Sequence, residues 1–351
     1  MIALTGIGPV TPIGIGKDDF WNNIVTRYSC MSKVTRFPLS HGLYCGEISK
    51  VDLDEYIQDN RFRRAADISK YALAATFLAI DDAHSEKVAN EDTALVLGIT
   101  NGPLTYTQVF HSALIREGVD AISPSLFSES VLNAPASNIS ICFGIRGPVQ
   151  TLVGGSTTAL KAMILACQML STGIVDKAIV VSSEELNELS FFCYSRLGNT
   201  ILSEGSGAVF IEKTSGLKEP SPYCHLLGMA SHCNPSNPKD AFSSAVQQSL
   251  EMADLELKDI DFIMVDSSLP AVRKQYQNII PSGCIIPLAG NAFSVTPMWH
   301  IILSSLSIKY GTIPTSIRTD TMKISDNIRH IMICSVEEKG VAAVVILSKC
   351  L

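Results

Sequence analysis

Among the side chains able to act as nucleophile or base, one serine in this 351-residue chain stands where a nucleophile would. In TLVGGSTTALKA, Thr151 to Ala162, a short apolar run turns at two glycines into a helical stretch that the pattern starts at Ser156. A serine raised on a strand-to-helix turn is well placed for attack. Residues 154–158, however, read G-G-S-T-T, and the G-x-S-x-G hydrolase elbow fails at its last glycine. An alcohol also needs a base to take its proton. His111 in QVFHSAL and His300 in PMWHIIL both fall in apolar helical stretches, the setting of a core or interface histidine. Ser156 therefore reads as a helix N-cap, which serine fills readily. The ten cysteines form no CxxC or CxxxC pair and none lies near a histidine at ligand spacing, so they read as buried reduced thiols and no metal or other cofactor is expected.

Composition narrows the function. With 46% hydrophobic and 17% charged residues, the chain can build a large core, as two domains or one duplicated unit. A net charge of −7 argues against a nucleic-acid partner, and the run RFRR, Arg61 to Arg64, reads as a solvated or interface face. The N-terminal MIALTGIGPVTPIGIG has no basic leader, and its glycines and prolines break it far short of the about 20 apolar residues of a membrane span. A cytoplasmic protein without a membrane partner is expected.

The elements that must position Ser156 alternate. IALTGI, TALVLGI, VQTLV, KAIVVSS and GAVFIEK read as buried strands, with helices over ISKYALAATFLAIDDA and TTALKAMILACQML. The helix after Ser156 is apolar nearly all round until Gly173 stops it, which predicts burial between layers. The second half replays the scheme. A stripe of Phe242, Ala245, Val246, Leu250 and Ala253 precedes the strand IDFIMVD and the apolar CIIPLA. A last helix follows from about Pro297 to Tyr310, with Thr296 placed to cap and Gly311 past its end. Ser231 to Asp240 reads as a loop, and KTSGLKEPSP divides two comparable halves, 1–215 and 216–351.

Several strings carry a resemblance. ALTGIGPVTPIGIGKDDFWNNI, CGEI, RFRRAADISKYALAATFLAIDDA, VLGITNGPLTYTQVFHSALIREG, ISICFGIRGP and SEGSGAVFIEK resemble the β-ketoacyl-acyl-carrier-protein synthases, in that order and at about their spacing, over nearly the whole chain. The resemblance implies a thiolase-like α/β fold, with duplicated βαβαβαββ halves in a five-layered α/β/α/β/α arrangement, working as a dimer. Working members have a cysteine nucleophile on the turn after GP, two histidines on later loops and a lysine near the second. Counted from Gly147 and Pro148, the cysteine position falls on Ser156. The first histidine position holds Asp266, the lysine position Ile286 and the second histidine position Asn291. The glycine-rich C-terminal loop is replaced by SVEEKG, Ser335 to Gly340.

Decarboxylative Claisen condensation needs a thiolate to accept the acyl chain and two neutral imidazoles to hydrogen-bond the developing enolate. Serine is a far weaker nucleophile, an ionised Asp266 would repel an enolate, and Asn291 cannot shuttle protons. No catalytic residue is therefore expected. The pattern resembles the chain-length factors of type II polyketide synthases, which keep the scaffold, lack the cysteine, pair with an active ketosynthase and shape its acyl tunnel. This chain departs from them in carrying serine where many have glutamine, and in nearly lacking the insertion between YSRLGNT and ILSEGSG. The resemblance implies an aromatic or aryl-polyene product. It also places Ile122 to Asn138 along the dimer interface, making Leu126, Phe127 and Val131 candidates for the tunnel or the partner interface. Acyl carrier proteins are acidic, so this acidic chain is expected to meet one mainly through its ketosynthase partner. Two other readings remain open here: a serine-dependent acyltransferase or thioesterase using Ser156, and a stand-alone homodimeric acyl-binding protein. An obligate partner subunit would behave poorly alone, which separates the first reading from the last.

Overall fold

The computed structural model describes residues 1–350 except 35, 38–42, 49–52, 54, 58, 86–87, 89–90, 198–200, 215–220, 268–273, 277–278 and 326. Ten strands of the described residues line up in the main sheet, and their order divides the chain in two. The N-terminal part supplies β1 (Ile2–Thr11), β2 (Thr93–Ile99), β3 (Val149–Val153), β4 (Lys177–Glu184) and β5 (Gly205–Lys213). The C-terminal part supplies β6 (Cys224–Cys233), β7 (Phe262–Ser267), β8 (Ser282–Gly283), β9 (His330–Val336) and β10 (Val341–Ser348). Across the sheet they run β8-β7-β9-β10-β6-β1-β5-β4-β2-β3, so the second set mirrors the first about the β1/β6 junction. That junction is short, an antiparallel pairing of Ile2 with Leu226, Ala3 with His225 and Leu4 with Cys224. Even the strand directions repeat. In each set the second strand lies parallel to the third and fourth, and the fourth and first lie antiparallel to the fifth.

Besides Lys17–Val25 and Ile286–Ala289, the described α-helices are α1 (Asp67–Asp82), α2 (Leu104–Glu117), α3 (Pro124–Ser130), α4 (Ala134–Phe143), α5 (Thr158–Ser171), α6 (Glu188–Leu197), α7 (Pro238–Ala253) and α8 (Val295–Tyr310). Most strands of each half are buried on both faces, which is why they read as continuous apolar runs; β3, read from sequence as a buried strand, is instead exposed to half-buried because it is the last strand in the sheet order. The middle layer is α5 and α8. Leu160 and Met163 of α5, Met298 and Ile302 of α8, Val180 of β4 and Ile333 of β9 share one core. On the outside, α1 closes the first half around Leu73, Leu97 and Phe210, and α7 closes the second around Phe242, Met332 and Val344. Helix, sheet, helix pair, sheet and helix make the five layers that the resemblance implies.

Several boundaries differ from the sequence reading. The helix after the double glycine begins at Thr158, two residues beyond Ser156. The last helix starts at Val295, so Thr296 lies inside it, with its Oγ1 accepting from Ala292 N at 3.0 Å. The loop expected over Ser231 to Asp240 shrinks to 234–237, because β6 stays paired with β10 through Cys233 and α7 starts at Pro238. Glycines at φ +76 (Gly173) and φ +66 (Gly311) follow α5 and α8 as expected. The expected junction of the halves at 215 and 216 lies outside the described residues.

Candidate functional site

β3 delivers the chain to the Ser156 turn, and the far end of β9 meets that turn from the other half. Ser335 Oγ donates to Ser156 Oγ at 3.0 Å. Ser335 is in turn the register partner of Asp266 on the parallel strand β7, and neighbouring strands lie about 4.8 Å apart. Ser156, Ser335 and Asp266 thus follow one another across the boundary of the halves, with Asp266 only 5% exposed. Two of the four family positions named in the sequence are brought together in this way.

Past Ser335 the chain turns tightly into β10. Glu337 N donates to Val341 O and Gly340 N to Glu337 O, both at 2.9 Å, with Gly340 at φ +81. The turn aims the Glu337 carboxylate at the start of α5, where Oε1 accepts from Thr157 N at 3.1 Å and from Thr157 Oγ1 at 2.5 Å. A Cβ on Gly155 would lie 2.5 Å from that carboxyl carbon, so the carboxylate rests directly against the turn. Lys161, on the first turn of α5, brings its Nζ to 3.6 Å from where a Cβ on Gly154 would stand. Thr157 is the N-cap, its own side chain makes no capping bond, and Glu337 satisfies its N–H instead. The N-cap reading of Ser156 is corrected: its hydroxyl faces the other half of the molecule.

Asn291 and Ile286 are placed by a separate stretch. Ile286 opens a four-residue helix, Ile286–Ala289, and is half-buried. Asn291 Oδ1 accepts from Phe293 N at 2.9 Å and from Thr296 Oγ1 at 3.4 Å, folding back on its own turn. The backbone of Asn291 pairs with Ile201 and Ser203, each at 2.9 Å. Phe293 takes the left-handed conformation, φ +52, and its ring lies 4.6 Å from that of Tyr194. Tyr194 Oη donates to Asn101 Oδ1 at 3.2 Å.

The buried carboxylate beneath these loops was not anticipated. Glu184, at the end of β4, accepts from Thr100 N, from Asn101 N at 3.2 Å and from Ser294 Oγ at 2.9 Å. It therefore ties the ends of β2 and β4 to the start of α8. Burial pushes its carboxyl up to about 7, against the pull of those hydrogen bonds. His300 is fully buried in α8, accepts from Ile285 N through Nε2 at 3.1 Å, and is pushed down by burial to about 3, so it stays neutral. His111 is exposed on α2, edge-on to Phe110.

A family model described as β-ketoacyl synthase, N-terminal domain, matches residues 1–217, more than half of the chain. The chain belongs to the β-ketoacyl synthase family. It is similar to the 3-oxoacyl-[acyl-carrier-protein] synthase 2 of Vibrio cholerae serotype O1, at 25% identity over 190 residues, covering 52% of this chain and 45% of that one. The match to such relatives thus spans about half of their length. Among solved structures, the ishigamide ketosynthase/chain length factor superposes with a TM-score of 0.88 at 18% identity, over 100% of this chain and 99% of that one. A type II PKS acyl-carrier protein in complex with its ketosynthase bound to the hexaketide, AntDE:AntF, gives 0.84 at 18% identity, over 99% of each chain. At these identities the structures establish the ketosynthase fold.

Within that fold, the remaining sequence candidates lie on another surface. Leu126 and Phe127 belong to α3 and Val131 follows it; α3 packs on α2 and α4. Phe127 is 54% exposed, its ring 5.7 Å from that of Phe110, while Leu126 and Val131 are half-buried. The RFRR run forms a short 3-10 turn with Arg61, Arg63 and Arg64 exposed and Arg61 paired to Asp59. All ten cysteines are free thiols, with Cys45, Cys167, Cys224 and Cys334 buried. No described helix is long and apolar enough to cross a membrane.

Proposed function

We propose that this chain is a non-catalytic chain-length factor. It pairs with an active ketosynthase and shapes that partner's acyl tunnel in a type II polyketide system making an aromatic or aryl-polyene product. The surroundings of Ser156 carry the reading: among the described residues its turn is bonded by a hydroxyl from Ser335 and a carboxylate from Glu337, and by no imidazole. Neither neighbour is an imidazole: Ser335 spends its hydroxyl proton on Ser156 Oγ, and the Glu337 carboxylate accepts instead of donating and repels an enolate. With Asp266, Ile286 and Asn291 at the other reactive positions, shape is what the scaffold still offers.

A second surface supports a pairing role. α2 and α3 fully bury no residue, and Val109, Ile115 and Phe127 stand more than half exposed. β3, the last strand in the sheet order, exposes Val149 and Val153, and α4, which packs on it, exposes Ile141. A sheet edge flanked by apolar side chains invites a second chain. Leu126, Phe127 and Val131 are the candidates to reach the partner's tunnel, and the carrier protein is assigned mainly to the partner. The likeness to a ketosynthase/chain length factor structure agrees with this reading.

Co-expression with the active ketosynthase of the same biosynthetic system tests it. Size-exclusion chromatography should recover a mixed pair. The chain alone, given malonyl and acyl thioesters, should form no carbon–carbon bond and gain no acyl mass. An adduct lost in Ser156→Ala, condensation by the lone chain, or failure to form the mixed pair overturns the reading.

A further inference from the structure

We propose that Glu337 is an internal lock on the Ser156 turn: its carboxylate occupies the mouth of α5 and keeps acyl thioesters off the serine. The inference builds on the non-catalytic reading of Ser156 and names what closes the turn. If Ser156 attacked a carbonyl, the oxygen gaining charge would need N–H donors beside the nucleophile. The start of the 14-residue helix α5 offers them, with the positive end of its dipole. Glu337 already uses one of them, Thr157 N, together with the Thr157 hydroxyl. It also fills space, since its carboxyl atoms lie 2.5–2.7 Å from the position of a Cβ on Gly155.

The lock is held from outside the site. Gly340, at the other end of the turn, packs so closely that a Cβ there would lie 2.1 Å from Asn234 O, and Asn234 N donates to Gly340 O at 2.8 Å. The segment after β6 therefore props the Glu337 turn against α5. The charged groups on the elements that meet at Ser156 are Glu337, Glu338 and Lys339 on this turn, Asp266 on β7 and Lys161 on α5. Three of the five are acids, and the one bonded to the turn is Glu337. A charge-generating step at Ser156 thus faces a consumed donor and a negative field, and Ser335 adds a hydrogen bond that attack would have to release.

A thiol placed at the serine reports this directly, because its alkylation rate follows its thiolate fraction. Iodoacetamide labelling of Ser156→Cys would be followed from pH 6 to 10 by peptide mass mapping, which separates it from the ten native thiols. The same measurement would be made in Ser156→Cys/Glu337→Gln and Ser156→Cys/Gly155→Ala, the first neutralising the carboxylate and the second pushing it away. At pH 7 both double variants should react about ten-fold faster than the single one, since one unit of thiol pKa is a factor of ten in thiolate. Equal or slower rates overturn the lock. If the cysteine variants do not fold, Glu337→Ala serves: sodium acetate, against sodium chloride at equal ionic strength, should raise its Tm and not that of the unmodified chain. Equal responses overturn the proposal. Failure to pair with a ketosynthase would sink the functional reading and leave these rates as they are, so the two failures are distinguishable.

Discussion

Two fully buried ionisable side chains, Glu184 and His300, pull the pH dependence of stability in opposite directions. The unfolded chain protonates His300 near 6.5 and the native chain only near 3, so its contribution to stability is lost as pH falls through that window. Glu184 protonates near 7 in the native chain and near 4.5 unfolded, so its burial cost is relieved as pH falls through that window. Where the windows overlap, each contributes a slope of about 1.4 kcal/mol per pH unit, and the slopes oppose each other. His300→Gln keeps an acceptor for Ile285 N and does not titrate. Urea denaturation between pH 6.5 and 4.5 should show its stability rising relative to the unmodified chain by about 1.4 kcal/mol per unit of falling pH. A constant difference across that range would show that His300 is not held neutral. Neither group announces itself in sequence: His300 looks like any histidine in an apolar helix, and Glu184 gains its setting from residues 84 positions before it and 110 after it. The same holds for Ser156, whose N-cap reading was sound local chemistry until Ser335 met it.

Secondary elements were the most legible level. Strands buried on both faces show as apolar runs, and β1, β2, β4 and β5 lie where those runs do, while β3 forms where expected but at the exposed sheet edge. The departures come from pairing over distance. β6 runs on through Cys233 because Ser231, His232 and Cys233 pair with Ala343, Ala342 and Val341. α8 starts early, at the point where Ser294 is spent on Glu184. Close helix-to-strand contact is a feature of both halves. A Cβ on Gly8 of β1 would lie 2.0 Å from Ala75 O in α1, and one on Gly228 of β6 would lie 2.0 Å from Ser249 O in α7. Those neighbours are backbone and cannot swing away. Gly8→Ala and Gly228→Ala should each cost at least about 1–3 kcal/mol, seen as a lowered Tm in thermal unfolding. A Tm unchanged in both would mean that the layers are looser than this packing requires.

At the scale of the whole molecule, Val109 and Ile115 of α2, Phe127 of α3, Ile141 of α4 and Val149 and Val153 of β3 stand exposed, while the core of each half is closed. A charge introduced there has little effect on the lone chain and a large one on a partner that would bury it unpaired. Phe127→Asp and Val153→Asp should each reduce recovery of the mixed pair with a ketosynthase by at least about ten-fold, with the circular dichroism spectrum and Tm of the lone chain unchanged. Undiminished pairing in both would place the interface elsewhere.

The sequence by itself determined the family and the layered fold, and it carries the proposal that Ser156, Asp266, Asn291 and Ile286 stand where working relatives have cysteine, histidine, histidine and lysine. Each rests on short strings in a recurring order, or on periodicity that burial imposes locally. Only the tertiary structure decided what stands around the altered turn. Thr157 and Glu337 are 180 residues apart and belong to different halves. Local composition at SVEEKG shows lost glycines and two acids, but which helix end one of those acids would reach depends on how the second half packs against the first.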